Sequence, residues 1–352
     1  MTQRLIFIGD FSSLSLFLSR GVASNGVESI LFSNGDGWKG IPHQNTLFKN
    51  SNNLLKSAWH QIQGARSLKS EITSNDTIVL STEFIFNRWI DSILLSQLMQ
   101  KSGRAVLLHA GCSDGFHQIY KSKLLCKNCK QYDLKSQQCA FQNSRWPGLA
   151  SVISNVDLVI PFTEIYVESA KMFGTPAANV TAPLNFPIDF DYIHSLTNEK
   201  KEHHKVIHGQ NRQGFKGTAY LKEIMAVSPD TKELISLLPR MSFTDFIDKL
   251  DTADIILDQL FANGYGMTGA LSLAMGTSVA YGYTEKHPKS GFDGPGCVPI
   301  HITGNMQTDA PVLFQSLRDH LENLPSRSDV IDFARQRHCH KMIGNAFLNI
   351  LS

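Results

Sequence analysis

The residues best suited to hold an anion are two cations in one glycine-rich loop, Arg212 and Lys216, within GQNRQGFKGT from Gly209 to Thr218. Arginine offers a planar fork of donors and lysine a mobile point charge. The loop falls between a predicted strand, Lys205–His208, and a predicted helix, Thr218–Met225. A second anion-binding feature follows. After the apolar run Ile255–Leu257, the turn Asn263, Gly264, Tyr265, Gly266 leads into a predicted helix from Met267 to Met275. Two glycines free that backbone, Gly276 closes the helix, and Val279–Tyr281 restarts as a strand. The unpaired amides and dipole of such a helix start suit a phosphate, with Thr268 adding a hydroxyl. A βαβ crossover packed tightly through glycine has the same signature.

Two further groups carry chemistry. His109 closes a predicted strand, Ala105–His109, and Asp114 follows in the loop HAGCSD. Ligands of open α/β sheets sit beyond strand C-termini, so both are candidates for catalysis; a histidine bonded inside its own loop is the alternative. Cys126, Cys129 and Cys139 have the spacing C-x2-C-x9-C, which favours a structural zinc over a disulfide in a cytoplasmic chain. The fourth ligand would be Cys112, His117 or Asp133. Cys297 and Cys339 read as ordinary thiols.

The elements that must position these residues alternate strand and helix. Leu5–Ile8 reads as a strand, a helix capped by Ser12 or Ser13 runs to about Ser24, and Glu28–Ser33 is the next strand. Asn53–Ile72 and Asn87–Met99 read as helices, with Thr77–Ser81 a strand between them. Pro147–Asn155 is a short helix, Val156–Pro161 a strand and Glu164–Phe173 a helix. The pattern breaks from Thr181 to His204, where two prolines and the run EKKE suggest an interdomain linker. Strands at Leu234–Leu237 and Asp254–Asp258 enclose a helix at Ser242–Leu250, and Asp329–Leu351 reads as one long terminal helix. No G-x-G-x-x-G fingerprint is present, which argues against a dehydrogenase.

Composition sets the outer bounds. The 352 residues suggest two domains, and 42% hydrophobic with 18% charged residues describes an ordinary globular chain. Lys+Arg number 33 against Asp+Glu 31, a net +2 that gives no signal for nucleic acid. No apolar run approaches a membrane span and the N-terminal run is too short for a signal peptide. The expectation is a cytoplasmic protein whose membrane contact, if any, is peripheral.

HGQNRQGFKGTAYLKEIM followed by TADIILDQLFANGYGMTGALSLAMGTSVAYGY resembles the donor domain of GT-B glycosyltransferases of the broad family 4 type. The loop from His109 to Asp114 is similar to the H-G-S-D loop of a subgroup that also carries a cysteine cluster after it. The segment from Arg335 to His338 resembles that family's returning helix. The resemblance implies an α/β protein of two Rossmann-like domains facing a cleft. It implies an N-terminal acceptor-side domain over 1–187, a nucleotide-sugar domain over 188–326, and a helix over 327–352 packing back on the first. It implies transfer of a sugar from a nucleotide-sugar to a glycan or lipid-linked acceptor, of the retaining type and without a catalytic metal. Arg212, Lys216 and the backbone from Gly264 through Tyr265, Gly266 and Met267 to Thr268 would hold the donor diphosphate; His109 would meet sugar or acceptor. The glutamate pair E-x7-E usual in retaining members is missing: its positions fall on Asn263 and on Leu271, or Leu273 by the other register. A sugar-nucleotide epimerase of the same fold and a non-catalytic GT-B scaffold are the alternatives.

Overall fold

A computed structural model describes residues 4–49, 51–82, 85–86, 88–113, 116–117, 119, 123, 125–127, 155–171, 179–197, 203–210, 213–284 and 292–352. The chain divides into two compact units. One contains the residues up to Phe116, those from Ser144 to Asp189, and His340–Ser352; the other contains His117–Asn143 and Phe190–Cys339.

The first unit is built on β1 (Leu5–Ile8), β2 (Ser29–Ser33), β3 (Asn45–Thr46), β4 (Thr77–Leu80), β5 (Arg104–His109) and β6 (Leu158–Pro161). All pair in parallel, in the order β3-β2-β1-β4-β5-β6. β1, β4 and β6 are buried at every residue, as strands covered on both faces require. The helices are α1 (Leu14–Ser24), α2 (Leu54–Glu71), α3 (Arg88–Lys101) and α4 (Val167–Lys171). Strand order reverses between β1 and β4. That is the switch point where a doubly wound sheet opens a crevice at its C-terminal edge.

The second unit holds α5 (Phe190–His194), β7 (His204–Gly209), α6 (Thr218–Val227), α7 (Pro229–Leu234), β8 (Ile235–Leu238), α8 (Phe243–Asp251), β9 (Ala253–Leu257), α9 (Met267–Ala274), β10 (Ser278–Tyr283), β11 (Cys297–His301), α10 (Met306–Glu322) and α11 (Arg327–His338). Its sheet is parallel, in the order β11-β10-β9-β7-β8, so its switch point lies between β7 and β9.

Three expectations need correction. The terminal helix is not continuous. Cys339 adopts φ −58°, ψ 117°, which ends α11, and α12 (His340–Leu351) begins afresh with the His340 N–H donating to the Ile188 carbonyl at 2.9 Å. Only α12 belongs to the first unit, where it crosses α1 at Gly21 and Gly344. A Cβ on Gly21 would lie 2.0 Å from the His340 carbonyl oxygen, and one on Gly344 2.3 Å from the Gly21 carbonyl carbon. Second, neither Ser12 nor Ser13 caps α1 through its side chain: both have positive φ, and Ser13 at the cap position makes no such bond. Third, Glu164–Phe173 is a 3-10 turn (Glu164–Tyr166) followed by α4, not a single helix. Boundaries elsewhere shift by a residue or two. The helix expected over 147–155 lies outside the described residues except at its last position.

Candidate functional site

The second unit gathers its polar groups at the β7/β9 switch point. Asp258 follows β9 directly and is almost fully buried. Its Oδ1 accepts from Lys216 Nζ at 2.8 Å, and its Oδ2 accepts the Gly266 N–H at 2.8 Å. Lys216 Nζ also donates to Thr268 Oγ1 at 3.1 Å. One carboxylate therefore ties the loop after β7 to the turn before α9. The Lys216 ammonium has three donors; two are used within this cluster, and its side chain keeps 13% of its surface exposed.

Two structural details hold this arrangement. His208, at the end of β7, is fully buried, with Nδ1 2.7 Å from the Leu257 carbonyl and Nε2 2.8 Å from Thr218 Oγ1. A carbonyl only accepts, so Nδ1 carries the proton and Nε2 accepts from the threonine hydroxyl. Burial pushes this imidazole down to about 4, so it stays neutral and its tautomer is fixed. Gly266 lies against Gln259: a Cβ would sit 2.5 Å from Gln259 Nε2. Gln259 is 6% exposed, and its Oε1 is buried without a hydrogen-bond partner among the described residues. A buried acceptor left open costs about 1–3 kcal/mol, which a ligand or water bound there would relieve. α9 has no side-chain cap at Gly266, so its first turn also presents backbone donors.

Of the donor-site residues expected from the sequence, Lys216, Gly266 and Thr268 come together here. Tyr265 and Met267 turn their side chains into the core. Tyr265 is 2% exposed, its hydroxyl is 3.1 Å from His338 Nε2, and its ring meets Phe292 edge-on at 4.8 Å. Only their backbone is available to a ligand. Gly264, at φ 150°, shapes the turn. Arg212 lies outside the described residues. Asn263, at φ 55°, turns its Oδ1 onto the Thr284 N–H at 2.7 Å, and Leu271 and Leu273 are core residues. Neither position of the missing glutamate pair supplies a carboxylate to this site.

The first unit has its own polar cluster, which the sequence reading missed. Asp10 follows β1, and its Oδ1 accepts the Ser15 N–H at 2.9 Å, so the aspartate caps α1 in place of Ser13. Its Oδ2 is shut off from solvent with no partner among the described residues. Burial raises this carboxyl to about 7, against the lowering pull of the Ser15 amide; Asp36 adds to the rise and Lys39 opposes it. Across the switch point stands Ser81, which follows β4. A Cβ on Gly9 would sit 2.5 Å from its Oγ. The hydroxyls of Ser13, Ser15, Ser81 and Thr163 are likewise buried without partners among the described residues. The strand-end rule that singled out His109 applies equally to Asp10.

His109 itself is 1% exposed. Its Nε2 is 2.6 Å from Ser169 Oγ, its ring meets Tyr166 edge-on, and burial drives it down to about 3. It is a neutral imidazole joining the end of β5 to α4. Asp114, Cys129, Cys139 and Asp133 lie outside the described residues. Cys112 and Cys126 are both half-buried, and Cys126 Sγ is 3.9 Å from His117 Nδ1. Among the described residues no group of three or more metal-ligating side chains forms. Burial raises the Cys297 thiol to about 12, which keeps it unreactive.

Two all-parallel sheets, each with polar groups at its switch point, match structures already solved. The fold is that of the GT-B glycosyltransferases. HepE of Anabaena, in complex with UDP and glucose, superposes with a TM-score of 0.61 at 11% identity over 99% of each chain. Sucrose-phosphate synthase of Thermosynechococcus elongatus gives 0.61 at 9% identity, over 99% of this chain and 98% of that one. A putative UDP-N-acetylglucosamine 2-epimerase of Listeria monocytogenes gives 0.55 at 12% identity, over 99% and 95%. No protein-family profile and no curated protein matches the chain by sequence. Among the described residues no helix is long and apolar enough to cross a membrane.

Proposed function

We propose that this protein transfers a sugar from a nucleotide-sugar to a hydroxyl of a glycan or lipid-linked acceptor. The observation that carries the reading is the Lys216–Asp258–Thr268 cluster at the start of α9. It sets a preorganised cation, a hydroxyl and backbone donors at one switch point, the combination a leaving diphosphate needs. In the reaction the C1–oxygen bond to the diphosphate breaks and the diphosphate leaves with the electron pair. A new bond forms between C1 and the acceptor oxygen, and the acceptor proton is lost. Lys216, with Arg212 from the same loop, offsets the charge developing on the diphosphate. Gln259 Oε1 accepts from a donor hydroxyl or bound water.

Asp10 is our choice for the acceptor proton. A carboxyl near 7 is partly ionised at neutral pH and basic enough to accept, and its Oδ2 has no partner among the described residues. His109 then supports the site rather than touching sugar, because its imidazole is buried and bonded to Ser169. Asp114 stays in the proposal as a neighbour in the same loop. A structural zinc on Cys126, Cys129 and Cys139, completed by Cys112 or His117, is part of the same reading; the Cys126–His117 approach suits a shared ion. So are retention at the anomeric carbon, with the acceptor oxygen entering on the face the diphosphate leaves, metal-independent chemistry, a cytoplasmic location and peripheral membrane contact.

Calorimetric titration with UDP and other nucleoside diphosphates is the first test, followed by incubation with the matching nucleotide-sugars with and without acceptor. Binding of a nucleoside diphosphate and acceptor-dependent release of it support transfer; NMR of the product reads the anomeric configuration. Conversion of the donor without acceptor supports the epimerase reading, to which the Listeria structure gives weight. No binding at all would leave the scaffold.

A further inference from the structure

The segment from Gly37 to Ser70 contains Lys39, Lys49, Lys56, Arg66 and Lys69 and no Asp or Glu. It carries +5 in a chain whose net charge is +2, so the rest of the molecule is net acidic. The same segment exposes large apolar side chains. Leu54 is 86% exposed, Leu55 83%, Trp59 53% and Trp38 46%. Isolated exposed leucines are ordinary, but two adjacent ones beside a tryptophan form a patch.

Helix geometry places them. Asn53 caps α2, its Oδ1 accepting from the Leu55 and Lys56 amides at 3.0 and 3.1 Å. Ala65 and Leu68 are the buried residues of the helix. Leu55, Trp59 and Arg66 fall at i, i+4 and i+11, a stripe turned away from that buried side. Leu54 projects from the first turn. Because α2 crosses between parallel strands, its first turn lies at the C-terminal edge of the sheet. Trp38, in the loop after β2, and Phe11, in the loop after β1 and 36% exposed, lie at that edge too. It is also the edge that carries Asp10.

We infer that this edge of the first unit docks on an anionic lipid surface, with Leu54, Leu55 and Trp59 entering the interface and Lys49, Lys56 and Arg66 facing the headgroups. Exposed leucine and tryptophan flanked by cations is the composition of an interfacial helix, and Asp36, which directly precedes the segment, is paired with Lys39. Charge complementarity selects the occupant: a bilayer with acidic headgroups attracts Lys49, Lys56, Arg66 and Lys69, while Lys39 is paired with Asp36. A membrane-borne acceptor would then arrive at the Asp10 edge, but the docking itself does not depend on the transferase reading.

The test is co-sedimentation of the full chain with vesicles of phosphatidylcholine alone or with about one third phosphatidylglycerol. Binding should be at least tenfold tighter to the anionic vesicles and weaken in high salt. The triple variant Leu54→Ser, Leu55→Ser, Trp59→Ser should lose tenfold or more while melting like the wild type, since these side chains are exposed. Lys49→Glu with Lys56→Glu should abolish the preference for anionic lipid. Failure of the wild type to sediment with anionic vesicles, or triple-variant binding equal to wild type, overturns the proposal; so does equal affinity for both vesicle types.

Discussion

Lys216→Ala removes the cation on which the donor-site assignment rests, and its consequences separate into two measurable quantities. The Asp258 side chain is fully buried and that of Lys216 13% exposed, so the substitution leaves a buried carboxylate with the Gly266 amide as its remaining partner among the described residues. Breaking a buried pair from one side costs about 3–5 kcal/mol. At about 2–4 °C per kcal/mol for a domain of this size, the melting transition should fall by about 6–20 °C. Loss of a charge-assisted hydrogen bond to a diphosphate is worth about 1.5–3 kcal/mol, or roughly a tenfold to more than hundredfold rise in the Kd for UDP. The double variant Lys216→Met, Asp258→Asn distinguishes the two. It removes the orphaned charge while an amide oxygen still accepts from Gly266, so much of the stability returns. Affinity does not, because the cation is still missing. Scanning calorimetry and UDP titration on the same preparations read both. A double variant that recovered UDP affinity together with stability would refute the phosphate role of Lys216.

Further expectations follow from other groups. Asp10→Asn keeps a cap acceptor for α1 but cannot take a proton, so transfer should collapse and the limb of the pH–rate profile near 7 should vanish, with UDP affinity unchanged. The stability sign is also fixed. The folded carboxyl binds its proton more tightly than the unfolded one, so wild-type stability falls as pH rises from about 4 through 7, whereas Asp10→Asn should lack that slope in denaturant titrations. His109→Ala opens a cavity and strips Ser169 Oγ of its imidazole partner, so it should destabilise by about 2–4 kcal/mol. Residual transfer well above that of Asp10→Asn would fit the support role; an unaltered melt with lost transfer would restore a direct contact. Gly344→Ala drives a methyl against the Gly21 backbone and should cost about 1–3 kcal/mol by thermal melt. Elemental analysis of protein prepared without added metal should find about one zinc per chain; a zinc-free, fully active preparation removes the cysteine assignment.

Most of the elements were legible because their causes are local. The apolar runs Leu5–Ile8 and Ile255–Leu257 are strands buried on both faces, Asn53 caps α2 through its own side chain, and Gly276 at φ 77° ends the helix before β10. The break at Cys339 was not legible. The helical spacing of apolar residues runs on through that position, and the chain turns there where the His340 amide meets the carbonyl of Ile188, 152 residues away. His109 and Asp10 show the same division. Each stands at the C-terminal end of an apolar strand, and nothing in the spacing ranks one above the other. Their surroundings differ in the fold: the His109 imidazole is bonded to Ser169 and packed against Tyr166, whereas Asp10 Oδ2 is buried with no partner among the described residues. The residue types in the loops were set by the sequence. Which of them meet was set by strand order, because β7 lies beside β9 and only that adjacency brings Lys216 within 2.8 Å of Asp258. Pairing of strands separated in the chain is a non-local choice, made by the packing of both sheet faces at once, and no spacing along the chain encodes it.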